Sequence, residues 1–126
     1  VNGTTKPLNW LNGEVKSPPF SHEARWETGG LLRQLQEGNS VGMPQSRPMP
    51  SIGARCHELR VKDRDAEWRL IYRIDSEAIH IVTVFAKTTA KTPRPVIDVC
   101  RKRLADYDRA VAEAKRRDEG QSGKRG

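Results

Sequence analysis

No apolar run in this chain of 126 residues approaches the roughly 18 residues of a membrane span. Nor does any stretch show the charged, apolar and small-residue series of a signal peptide. Cysteine is scarce: Cys56 and Cys100 lack metal-ligand spacing and are too few for a disulfide-dense secreted scaffold. The expectation is a cytoplasmic protein in a reducing setting, with no membrane contact. Catalytic signatures are missing too, with no phosphate-binding Walker loop, no GxSxG and no HExxH. The three histidines, His22, His57 and His80, are scattered, so neither a metal nor a cofactor is expected. The absence of internal repeats and the short length fit one domain with a modest core.

What the chain does have is positive charge in one place. Of a net charge of +7, five charges lie within residues 55–103, which hold twelve basic and seven acidic side chains. A localised surplus reads as an electrostatic footprint for a polyanion, whereas an even one would serve solubility; a solvated charged face is the other reading of the same residues.

Periodicity places that surplus on strands. In residues 56–62 the odd positions His57, Leu59 and Val61 are largely apolar, and the even positions Glu58, Arg60 and Lys62 are charged. In residues 67–74 Trp68, Leu70, Tyr72 and Ile74 form the bulky apolar set, with Glu67, Arg69 and Arg73 on the other side. Residues 79–87 are apolar on both faces, as in a central strand covered on two sides. Turn residues at 63–66 and 75–77 link the three into an antiparallel meander.

Around the meander, residues 7–11 read as a possible short first strand and residues 20–37 as a helix. Phe20, Ala24, Leu31 and Leu35 share one stripe of that helix, Ser21 caps its start after the breaker Pro18-Pro19, and Gly38 follows its end. Gly29-Gly30 inside it suggest close packing on the sheet, or a helix split there. Residues 39–53, rich in proline and glycine without periodicity, read as a loop. From Pro95 to about Arg116 a stripe of Ile97, Cys100, Leu104, Tyr107, Val111 and Ala114 predicts a long helix, its first turns on the sheet and its last overhanging. Residues 1–6 and 118–126 are expected to be disordered, leaving a single α+β domain over residues 1–117.

One chemistry open to this pattern is metal-free RNA cleavage. That reaction needs the 2′-hydroxyl deprotonated, the pentacoordinate phosphate stabilised and the leaving 5′-oxygen protonated or neutralised. Arginine supplies the second need, because guanidinium presents a rigid fork to phosphate oxygens. Glu58 is the one carboxylate in the middle of the polar strand face. It is open to three roles: weak base, orienter of an arginine, or partner in a cross-strand ion pair. Lys87 and Lys91 stand where the last strand leaves the sheet, among Thr88, Thr89 and Thr92, and read either as phosphate and ribose contacts or as ordinary exposed loop lysines.

Residues 7–107 resemble the RelE/ParE superfamily of bacterial toxins, and most closely its HigB branch of phage-derived killer proteins. The resemblance rests on LLRQLQEG at 31–38, PMPSIG at 48–53, HELRVKD at 57–63, WRLIYRI at 68–74 and VFAKTTAKTP at 84–93. It implies the toxin of a type II toxin-antitoxin pair that cleaves messenger RNA in the ribosomal A site without metal. It implies a RelE-like fold too, a curved antiparallel sheet with helices against one side, and a helix-turn-helix antitoxin of the HigA sort. By the same resemblance the cleft comprises Arg60 with Lys62, Arg69, and Lys87 with Lys91; Arg73 joins by parity with Arg69. Glu58, Arg60, Arg69, Lys87 and Lys91 are the expected catalytic set, with Lys62, Arg73, Thr88 and Thr89 as RNA contacts. RelE carries lysine where Glu58 falls, which leaves the general base unassigned. Two other readings share the pattern: a ParE-like gyrase inhibitor, and a nucleic-acid-binding module without catalysis.

Overall fold

The computed structural model describes residues 5–11, 20–64, 66–87 and 90–124, with side chains to residue 120. The Pro18-Pro19 breaker, Thr88 and Thr89 lie outside the described residues. The elements in order are β1 (Leu8–Trp10), α1 (His22–Gln36), β2 (Ser46–Pro48), β3 (Cys56–Lys62), β4 (Glu67–Ile74), β5 (Ile79–Ala86) and α2 (Arg94–Lys124). They form an α+β domain around one five-stranded sheet of order β1-β5-β4-β3-β2.

The β3-β4-β5 meander is antiparallel as its alternation predicts. Two short edge strands extend it, so the sheet is mixed, with five strands in place of a meander and one possible addition. β1 runs parallel to β5, and β2 forms within the segment that reads as a loop. β2 escapes periodicity because three residues are too few to show it, and its final Pro48, which has no N–H to donate, is tolerated at a sheet edge. Its anchor is the buried Ser46 hydroxyl, 2.6 Å from the Tyr72 hydroxyl.

Strand parity divides the core between two sides. Leu59, Leu70, Tyr72, Ile79 and Ile81 meet Leu32 and Leu35 of α1, whereas Ile71, Val82 and Cys56 meet Cys100 and Leu104 of α2. The helices therefore cover opposite faces, which corrects the expectation of helices on one side. The physical reason is that β5 and the middle of β4 are apolar on both faces, so each needs a cover.

α1 starts where Ser21, in extended conformation, accepts a hydrogen bond from the Ala24 N–H at 3.1 Å. It ends at Gly38, whose φ of 88° allows the Gly38 and Asn39 amides to reach back to Leu35 and Gln34 carbonyls. Gly29 and Gly30 face open space rather than the sheet, and α1 runs unbroken past them. They are solvent-side glycines in a helix interior, so Gly29→Ala should raise stability by about 1 kcal/mol. A urea melt reads that as a higher midpoint at unchanged slope.

Some residues of the two stretches that composition reads as disordered belong to the described structure. Lys6 is bound through both its backbone groups to Gln36. α2 continues through residues 118–124, which the sequence reads as a tail, carried on as helix beyond the sheet. Its stripe changes character on the way: Cys100 and Leu104 are buried, while Val111 is exposed.

Candidate nucleic-acid interface

α2 divides the polar sheet face in two. Its Tyr107 ring lies 4.4 Å from that of His80, and Asp108 accepts two hydrogen bonds from Arg73, at 2.8 and 3.0 Å. Arg73 is paired as well with Asp75 at 2.8 Å, and this carboxylate pair holds the guanidinium charged, its pKa raised still further. Arg73 therefore belongs to the docking of α2 and not to the cleft that parity with Arg69 suggests. The same network includes His80, whose Nδ1 faces the Asn9 amide at 3.1 Å and whose Nε2 lies 3.0 Å from Asp75. Asp75, Glu77 and His80 bring ligand atoms within 4.8 Å of one another. Asp75 is already claimed by Arg73 and Arg55, so the set works as an ion-pair network that locks β4, β5 and α2 together.

This network has a pH signature. Arg73's hydrogen bonds, opposed by partial burial, hold the Asp108 carboxyl below its usual range. Its stabilisation is complete above the ordinary aspartate value of about 3.9 and disappears as pH falls through the lower folded-state value. Asp108→Asn should thus lower neutral-pH stability by at most about 1 kcal/mol, because the carboxylate is more than half exposed. It should also flatten the acid limb of the stability curve below about pH 4, read by thermal melts against pH.

The charges converge on the other half of the polar face, beside Ala90 to Pro93 of the segment before α2. Glu58 is 1% exposed and Arg69 4%. Arg69 donates from Nη1 to Glu58 Oε1 at 3.0 Å and lies 2.8 Å through Nη2 from Glu67, which is 3.7 Å from Lys87 Nζ. Arg47 and Arg60 approach the same Glu58 oxygen through Nε, at 3.4 and 3.7 Å, with side chains 34% and 24% exposed. The remaining oxygen of Glu58 accepts from Thr92 Oγ1 at 2.6 Å. Glu58, Arg69, Lys87 and Lys91 line one narrow hollow with Phe85 and Thr92. Lys62 stands exposed at the strand end opposite Glu67, outside that lining.

Three arginines thus share one carboxylate, and the Nε groups of all three have no hydrogen-bond acceptor among the described residues. Those Nε atoms are buried, so a ligand reaches the cluster only through the partly exposed Arg47 and Arg60, whose guanidinium forks can meet a phosphodiester and offset the shortage of negative charge. Glu58 has both oxygens engaged, so its structural work is to hold guanidinium groups in register. Thr92 extends that hold to the loop carrying Lys91. Arg47 and Glu67 are the members that sequence reading missed. Arg47 gave no signal because it lies in the proline-rich segment, and Glu67 reads as one more alternating charge.

The cysteines take no part. Both are buried and unpaired, and burial pushes the Cys100 thiol up to about 12 and raises that of Cys56, which keeps them from acting as nucleophiles.

A small α+β domain with a cation-rich hollow between its sheet and the segment before α2 is the class that fold and site define. Residues 19–105 match the family described as Phage derived protein Gp49-like (DUF891). The chain belongs to this family, which is one of RelE-type toxins. No curated protein matches the chain. No helix among the described residues is long and apolar enough to cross a membrane.

Proposed function

We propose that this protein is the toxin of a type II toxin-antitoxin pair, of the HigB kind, and that it is a metal-independent endoribonuclease acting on messenger RNA at the ribosome. The observation that supports this most is the sharing of Glu58 by Arg47, Arg60 and Arg69 beside Lys87. In this reading Arg47 and Arg60 grip the non-bridging oxygens of the scissile phosphate, while Arg69 and Glu58 hold the frame. The 2′-oxygen attacks phosphorus as the bond to the 5′-oxygen breaks. The 2′-proton passes to a phosphate oxygen or to water, because Glu58 is occupied and arginine stays protonated. An ammonium group, from Lys87 or Lys91, protonates the leaving oxygen. A helix-turn-helix antitoxin of the HigA sort completes the proposed pair.

Purified protein added to a cell-free translation system should arrest synthesis, with primer extension mapping cuts inside codons. Lys87→Ala should slow cutting about 10²-fold or more, the usual loss when one oriented charge is removed from a transition state. Arrest without any cut, together with inhibition of gyrase supercoiling, would reject the nuclease and favour the gyrase-directed reading. Salt-sensitive RNA binding without product would favour a binding module.

A further inference from the structure

The outer face of α1 carries an exposed aromatic that neither the core nor the hollow uses. Trp26 is 80% exposed. One turn on, Gly29 and Gly30 leave open space where side chains would stand, and Arg33 closes the notch a turn beyond. His22 and Arg25 complete its rim, and Arg25 has no ionic partner among the described residues. These residues lie opposite the stripe of Ala24, Thr28, Leu32 and Leu35 that α1 buries. The two glycines weaken the helix and gain no internal packing in return. A tryptophan ridge beside a glycine groove is what a second helix can pack into, and tryptophan and arginine are the residues that most often anchor protein interfaces.

We infer that this face docks an amphipathic helix of another protein, whose apolar side chain fills the notch over Gly29 and Gly30 and whose flanking carboxylates meet Arg25 and Arg33. Charge selects this occupant over the others. Every charged side chain lining the notch is basic or histidine, so an acidic flank is the complementary one. Glu37, the C-cap of α1, already lies 3.7 Å from Arg33, which leaves Arg25 as the cation of the notch with no ionic partner among the described residues. Glu23 and Glu27, farther round the helix, would repel an extended nucleic-acid strand. A second copy of a chain with net charge +7 repels the first. Because α1 and the hollow are on opposite faces of the sheet, a helix bound here leaves the hollow uncovered.

The test is selection of a displayed library of amphipathic helices against the full chain, with the apolar stripe fixed and the flanking positions drawn from Glu, Gln and Lys. Glutamate should be enriched at the flanks. Binding of the selected helices should fall about tenfold or more with Trp26→Ala or Gly30→Leu, as for a buried interface anchor. Gly30→Leu should melt no lower than the parent, since open space surrounds that position, so lost binding there is not lost folding. Lys87→Ala should bind the helices undiminished. Four results would each overturn the inference: no enrichment, enrichment without preference for Glu, binding that survives Trp26→Ala, or a Trp26→Ala defect seen in oligouridylate binding or self-association instead.

Discussion

Glu58→Ala should be among the most destabilising single substitutions in this protein, costing about 3 to 5 kcal/mol, the usual loss when a buried ion pair is deprived of one partner. The reason is the concentration of duties on one side chain. Glu58 is the acceptor for Arg69 Nη1 and for the Thr92 hydroxyl, and the nearest carboxylate to Arg47 and Arg60. Without it, Arg69 stays buried with Glu67 alone, and the loop before α2 loses its tie to β3. A small domain has a total stability of roughly 5 to 15 kcal/mol, so the variant should be partly unfolded near body temperature. Glu58→Gln keeps an acceptor for Thr92 and removes only the charge, so it should cost less. Urea melts of both variants, compared at equal slope, would measure the difference. A Glu58→Ala protein as stable as its parent would show that the carboxylate is not holding the arginines in place.

Much of the fold can be read in the chain because one periodicity governs each element. β3 and β4 have the bounds their alternation predicts, β5 ends one residue earlier, and α1 lies between Ser21 and Gly38 as its caps require. What escapes is decided by tertiary placement. Arg69 and Arg73 are two arginines of one strand, equal in parity and similar in neighbours, yet one faces the hollow and the other is locked under α2 by Asp108. Only the path of α2 separates them, and no local pattern encodes where a helix crosses a sheet. Arg47 is hidden for the complementary reason: its strand is made by pairing with β3 rather than by any propensity of Ser46, Arg47 and Pro48. The glycines of α1 mislead because close packing and an open notch use the same residue.

That division of the polar face yields the second large effect. If Arg47 and Arg60, which flank Glu58 outside the lining of the hollow, grip phosphate, the Arg47→Ala/Arg60→Ala double variant should lose about 10³-fold or more in RNA cleavage, on the scale seen when oriented donors are removed from a developing charge. Both side chains are partly exposed and share Glu58 with a third arginine that remains, so the fold should survive their loss. Residual RNA binding should show a weaker salt dependence, with the slope of log affinity against log salt reduced by roughly 1.4 for two lost contacts to a single strand. Arg73→Ala makes the opposite case. It removes the guanidinium that Asp75 and Asp108 share, so melting should fall, while cleavage per folded molecule and the salt slope stay those of the parent. The contrast separates substrate contact from scaffold in one strand face. Were Arg73→Ala to abolish cutting in folded protein while the double variant cut normally, the phosphate would have to lie at the α2 end of the sheet, and the proposed site would be wrong.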